Sequence, residues 1–259
     1  MHRRPFFLFA SLFIPACSPE SGPQLVVGMD LTYPPFEYKN QAGEPEGVDV
    51  DIAKALSLEL GLTLKIESLP FEGLIPALQS GKIDIAISAM TATPERAKSI
   101  DFSDPYAQTG ICLLVGKNSP VQSGEDLGKP GIVLTAKLAT TGETYARQKF
   151  PGQKLTVLDD EVSCVREVVQ GTADAFIYDQ LSIYSHYKRN EATTRALLHP
   201  LKQESWAVGI KKGNDTMRLQ VNAFLKKFRE AKGLEKLGEK YLSEEKKVLE
   251  SMNIPFILQ

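Results

Sequence analysis

The 259-residue chain contains only three cysteines and three histidines. Cys17 stands apart near the start, and Cys112 and Cys164 match no metal or redox spacing. An oxidising compartment would permit a disulfide between those two, and a pair of buried thiols is the alternative. His2 lies in a basic leader, His186 in a helical stretch and His199 before Pro200, none within a catalytic pattern. The commonest general base and the soft metal ligands are therefore scarce, and neither a metal nor a cofactor is expected. An excess of one charge is also missing: 30 basic residues face 32 acidic ones, for a net charge of −2. That balance excludes the electrostatic footprint of a nucleic-acid binder. No run beyond the leader is long and apolar enough to span a bilayer. What is present, 42% apolar and 24% charged residues, suits one large globular domain or two small ones.

The leader has its own pattern. His2-Arg3-Arg4 is followed by a nearly continuous apolar run from Phe6 to Ile14, then by Pro15-Ala16-Cys17 and a polar stretch. This is the layout of a secretory signal peptide over residues 1–16. Ile14-Pro15-Ala16-Cys17 resembles the lipobox of bacterial lipoproteins, with Pro15 departing from the usual residue. Lipidation at Cys17 and an envelope location, periplasmic and lipid-anchored, are the expectations.

Further along, short apolar runs alternate with helical patterns. Strands are expected at 25–29, 62–66, 83–87, 111–115, 132–135, 155–158, 173–178 and 207–210. Val48, Ile52, Leu56 and Leu60 recur every four residues, as one helix face requires. Leu74, Ile75 and Leu78 predict a second helix, and Val162, Val165, Val168 and Val169 a third. Residues 221–242 read as helices with an apolar stripe and a solvated basic face. The alternation predicts α/β layers around a mostly parallel sheet. There is also an internal echo: Gly81-Lys-Ile-Asp84-Ile-Ala-Ile87 resembles Gly171-Thr-Ala-Asp174-Ala-Phe-Ile177. Two similar lobes, each with a site at a strand's carboxyl end, would account for it.

The polar residues after these strands carry the chemistry. Ser88, Ala89, Met90 and Thr91 leave one strand, and Thr93-Pro94-Glu95-Arg96 starts a helix with proline at its first position. Hydroxyls, backbone amides, a helix start and Arg96 together form a receptor for a carboxylate. Asp30-Leu-Thr-Tyr-Pro-Pro-Phe-Glu37 follows the first strand, in a loop stiffened by two prolines. Tyr33 and Phe71 offer aromatic walls, while Phe36 reads as packing. Lys137 follows another strand, and Thr140 and Thr141 are placed to cap the helix after them. Asp179 ends a strand as well, either as a helix cap or as a partner for an ammonium group.

In this order, the motifs 30–37, Gly47-Val-Asp-Val-Asp-Ile-Ala53, Phe71-Glu-Gly-Leu-Ile-Pro-Ala-Leu78, 81–84, 93–96, Asp101-Phe-Ser-Asp-Pro-Tyr106 and 174–179 are similar to those of bacterial extracellular solute-binding proteins of family 3. These are polar amino-acid receptors of ABC importers, and the resemblance spans about residues 24–245. It implies a two-lobed periplasmic binding protein type II fold, two α/β domains joined by two hinge strands. The first lobe would comprise residues 24–108 and 201–259, the second 109–200. The resemblance assigns Arg96, helped by Thr91, Ala89 and the 140–141 turn, to the ligand α-carboxylate. It assigns Asp179 to the α-ammonium, Tyr33 and Phe71 to the walls, and Asp30 to the side-chain end. Buried charges left unpaired would be prohibitive, so an empty cleft should stay open and wet.

Two departures bear on specificity: Ala139 stands where the family has glycine, and Lys137 where basic amino-acid receptors are often uncharged. Lysine is found there in glutamine receptors. Lys137 with Asp30 suits a neutral amide and repels a cationic side chain, which favours glutamine over arginine. The partners implied are a free L-amino acid and a membrane permease, with the protein a monomer. The other function considered is a periplasmic dehydratase of prephenate or arogenate on the same scaffold, for which Glu37 or Glu143 would be the general acid. No kinase, transmembrane or lyase sequence lies beyond residue 245, so a receptor sensor or a lyase is not expected.

Overall fold

A computed structural model describes residues 22–258; the leader and Cys17, with their signal-peptide and lipidation expectations, lie outside the described residues. Along the chain run β1 (Gln24–Met29), β2 (Thr32–Tyr33), β3 (Glu37–Lys39), β4 (Pro45–Glu46), α1 (Val48–Leu60) and β5 (Thr63–Ser68). Next come α2 (Leu74–Ser80), β6 (Ile85–Ala86), α3 (Pro94–Ala97), β7 (Ile100–Gly116), β8 (Val133–Lys137), α4 (Thr141–Lys149) and β9 (Lys154–Leu158). The chain finishes through α5 (Glu161–Gln170), β10 (Ala175–Asp179), α6 (Gln180–Arg189), β11 (Thr194–Lys211), α7 (Asp215–Glu230), α8 (Gly233–Tyr241) and α9 (Ser243–Ser251).

The strands form an eight-stranded sheet, in the order β5-β1-β6-β11-β7-β10-β8-β9, and a small sheet β2-β3-β4. The long strands β7 and β11 run antiparallel through the middle. On one side lie β5, β1 and β6, and on the other β10, β8 and β9, each group internally parallel. These two groups, with the helices on them, are the two lobes. The two expected strands at 111–115 and 207–210 are therefore segments of 17- and 18-residue strands. Breaks in apolar patterning hide the rest: at the lobe junction both strands carry polar residues, and the pairing slips between Leu197 and Lys202.

Local signals explain most boundaries. Gly61, Gly81 and Gly171 end α1, α2 and α5 in the left-handed region, at φ 66°, 77° and 75°. Asp160 caps α5 by accepting from the Ser163 amide at 2.7 Å. The echo is physical. Asp84 accepts from the Val26 amide at 2.8 Å while its own amide donates to the Val26 carbonyl at 2.9 Å. Asp174 repeats both bonds to Val133, at 2.9 and 2.7 Å. In each lobe an aspartate thus ties the strand that it begins to a parallel neighbour. Cys112 and Cys164 are buried free thiols, not a disulfide. Among the described residues no helix is long and apolar enough to cross a membrane.

Candidate functional site

The strand ends converge where the lobes meet. Ten of the twelve residues singled out in the sequence line one interlobe cavity, and Glu37 and Tyr178 complete it. Met90 does not reach it: its side chain is 1% exposed and packs with Leu74, Leu78 and Ile100 in the first lobe's core. Lys137 does not line it either, because its ammonium is held by Asp30. The cleft stands closed rather than open. The cavity has a volume of about 20 Å³, room for about one water. Direct pairing across the cleft offsets part of the penalty that would have kept it apart: Lys137 of the second lobe meets Asp30 of the first, with both side chains nearly buried.

Arg96 sits in α3, whose cap Thr93 accepts from the Arg96 amide at 3.2 Å. Its guanidinium donates to the Thr91 carbonyl at 2.8 Å and, across the cleft, to the Ala139 carbonyl at 2.9 Å. It also lies 5.2 Å above the centre of the Phe71 ring. Burial lowers its pKa, opposed by the charges of Glu204 and Asp179. Ala139 is held at φ 61°, the left-handed conformation that glycine adopts without strain. Thr140 caps α4, accepting from the Glu143 amide at 3.4 Å, so capping falls to it alone. The Thr141 hydroxyl instead donates to Glu204 at 2.6 Å.

Asp179 precedes α6 but makes no side-chain capping bond. Its carboxyl lines the cavity, half-buried, and desolvation with the charges of Glu204 and Glu161 raises its pKa well above its ordinary value, opposed by Arg96 and the Tyr33 hydroxyl. A cationic group in the cavity would relieve that cost. Arg96 and Asp179, which both line the cavity, thus give it a donor pole and an acceptor pole. Tyr33 is 3% exposed and stacks on Phe36 at 5.2 Å, and it meets Tyr178 of the second lobe edge-on at 5.8 Å. Phe36 itself is wholly buried against Trp206, as packing.

Three participants escaped the sequence reading. Tyr178 follows from Asp179, its neighbour at the same strand end. Glu204 had no motif: it lies on β11, its side chain has no exposure, and it accepts from Thr91 at 3.0 Å as well as from Thr141. It joins both lobes to the hinge. Glu161 pairs with His186 and accepts from Ser182 at 2.8 Å, behind Tyr178. The two candidate general acids are otherwise engaged. Glu143 accepts from the Ala139 amide at 2.7 Å and pairs with Arg147. Glu37 is buried against Ser88 and Asp49. Among the described residues no cluster of side chains is arranged to hold a metal ion.

Residues 25–244 match the bacterial extracellular solute-binding proteins, family 3, and the chain belongs to that family. It is 31% identical, over 86% of its length and 82% of the relative's, to the ABC transporter glutamine-binding protein GlnH of Bacillus subtilis. An ancestral arginine-binding protein solved with glutamine superposes with a TM-score of 0.78, at 33% identity, covering 85% of this chain and 98% of that one. An ancestral amino acid-binding protein described as a precursor of cyclohexadienyl dehydratase superposes at 0.76, with 37% identity over 84% and 94% of the two chains.

Proposed function

We propose that this protein is the substrate-binding component of an amino-acid ABC importer, binding a polar L-amino acid between its lobes. The observation that carries the reading is the pair of poles lining one cavity, Arg96 of α3 for the α-carboxylate and uncapped Asp179 of β10 for the α-ammonium. Ser88, Ala89 and Thr91 line the cavity with their donors held by Glu37, Asp49 and Glu204, and the α4 start at Thr140 and Thr141 adds a helix N-terminus on the carboxylate side. We assign residues 24–108 and 201–259 to the first lobe and 109–200 to the second, so that opening about the β7–β11 pair admits the ligand. The permease partner, the monomeric state and the lipid anchor at Cys17 complete the proposal.

For the side chain, glutamine is favoured over arginine or lysine. The Lys137–Asp30 pair is already neutral, and an amide can bridge it by donating to Asp30 and accepting from Lys137. Family members recorded with glutamine and with arginine lie at similar distances from this chain. The dehydratase reading is disfavoured because neither Glu37 nor Glu143 offers the cavity an uncommitted acid.

A thermal-shift screen over the common L-amino acids, followed by calorimetry, tests the ligand. L-Glutamine should raise the melting temperature, because it binds only the folded state. Lys137→Ala should shift the glutamine-to-arginine affinity ratio about tenfold toward arginine, since it frees Asp30 for a cation. An unchanged ratio would remove Lys137 from specificity. Turnover of prephenate or arogenate by the purified protein would overturn the assignment as a binding protein.

A further inference from the structure

Beneath the turn that carries Ser88 and Ala89 lie two carboxyl groups that contact neither pole directly. Glu37 comes from β3 and is 1% exposed; Asp49 comes from the first turn of α1 and is fully buried. The two side chains reach consecutive residues of the same turn, Glu37 at Ser88 and Asp49 at Ala89. Glu37 Oε1 accepts from the Ser88 hydroxyl at 2.7 Å. Asp49 Oδ2 accepts from the Ala89 amide at 2.8 Å and the Tyr106 hydroxyl at 2.9 Å. The remaining oxygen of each, Glu37 Oε2 and Asp49 Oδ1, is buried with no donor. Two ionised carboxylates have only acceptors to offer, so a proton between them is the donor that neighbouring unpartnered oxygens lack.

The surroundings agree. The titratable groups facing the pair are Asp30 beyond β1, Tyr33 on β2, Tyr106 on β7 and Tyr178 on β10, none of them cationic. Lys137 is taken up by Asp30. Two negative charges here would be unscreened and repulsive.

We propose that Glu37 and Asp49 share one proton at neutral pH, and that this proton-bridged pair positions the carboxylate side of the cleft. It fixes three cavity-facing groups. Ser88 is held by Glu37 and in turn accepts from the Asp30 amide at 3.1 Å. Ala89, at the strained φ of 45°, is pinned through its amide by Asp49. The role in ligand binding rests on the amino-acid reading above, whereas the shared proton does not. Burial and the neighbouring Asp49 charge push the Glu37 pKa well above its ordinary range, and burial raises that of Asp49 to about 6.

Infrared difference spectroscopy at neutral pH tests the proton, and amide hydrogen exchange tests the positioning. The wild-type minus Glu37→Gln spectrum should show loss of one neutral carboxylic-acid band; Asp49→Asn should move that band in frequency, because it replaces the partner oxygen, and an unmoved band would overturn the sharing. Asp179→Asn must leave it in place, which separates it from the other raised carboxyl. Exchange at the Ala89 and Asp30 amides should accelerate about tenfold in Glu37→Ala, the equivalent of one lost hydrogen bond. Glu37→Gln, whose amide still donates to Asp49, should restore slow exchange. A difference spectrum without that band would overturn the proton, and equal exchange in Glu37→Ala and wild type would overturn the positioning. If Glu37→Ala does not fold, Asp49→Asn and Glu37→Gln decide by infrared alone. If neither L-glutamine nor L-arginine binds the wild type, the ligand assignment falls while these two results still judge the pair.

Discussion

Asp179 and Ala139 show at single positions how the site is poised. Asp179 keeps a raised pKa because desolvation and the charges of Glu204 and Glu161 outweigh Arg96 and the Tyr33 hydroxyl, and no cap bond offsets them. A ligand ammonium would restore its ionised form. Binding should therefore release a proton at pH values below the raised pKa, and affinity should climb as pH rises through that range. Calorimetry in buffers of different ionisation enthalpy measures this directly; heats independent of the buffer would show that Asp179 is already ionised. Ala139 carries a left-handed strain in order to aim its carbonyl at Arg96. Ala139→Gly should raise stability by up to about 1 kcal/mol, read by urea denaturation, with the turn unchanged. Much of this was legible in the sequence, because Arg96, Asp179 and the threonine pair lie at strand or helix ends where polar groups are conspicuous. Glu204 was not legible. It lies inside a strand, and only the three-dimensional meeting of Thr91 and Thr141 reveals its role.

Elements follow the same division between local and distant causes. Apolar spacing marked α1, α2 and α5, and the Gly-x-x-Asp echo marked corresponding corners of both lobes. Asp84→Ala and Asp174→Ala should each cost about 1–2 kcal/mol in chemical denaturation, through the orphaned amides of Val26 and Val133. The two losses should add, since they lie in separate lobes; a variant without cost would make the echo decorative. The full length of β7 and β11 was hidden, since their middle segments are polar where they pass the cleft. The small β2-β3-β4 sheet was also missed, because prolines and short strands conceal pairing that depends on contacts across sequence. Helix α9 was missed too: its first turns are charged, and Leu249 is its one buried residue.

The whole molecule is two α/β lobes about a shared strand pair, with opposite charges on facing walls. Closure brings Lys137 to Asp30 and Thr141 to Glu204, and leaves Arg96 and Asp179 lining the cavity. On the proposed reading, that geometry selects for the two charged groups common to every α-amino acid before it selects for a side chain. The central claim is this clamp, and calorimetry with the amino acid that gives the largest thermal shift, its methyl ester and its N-acetyl derivative tests it most directly. The parent should bind the wild type, Arg96→Ala should abolish that binding, and each derivative should bind at least about 100-fold more weakly, as expected when a buried charge loses its partner. A derivative that binds as tightly as its parent, or an Arg96→Ala variant that retains the wild-type affinity, would contradict the account.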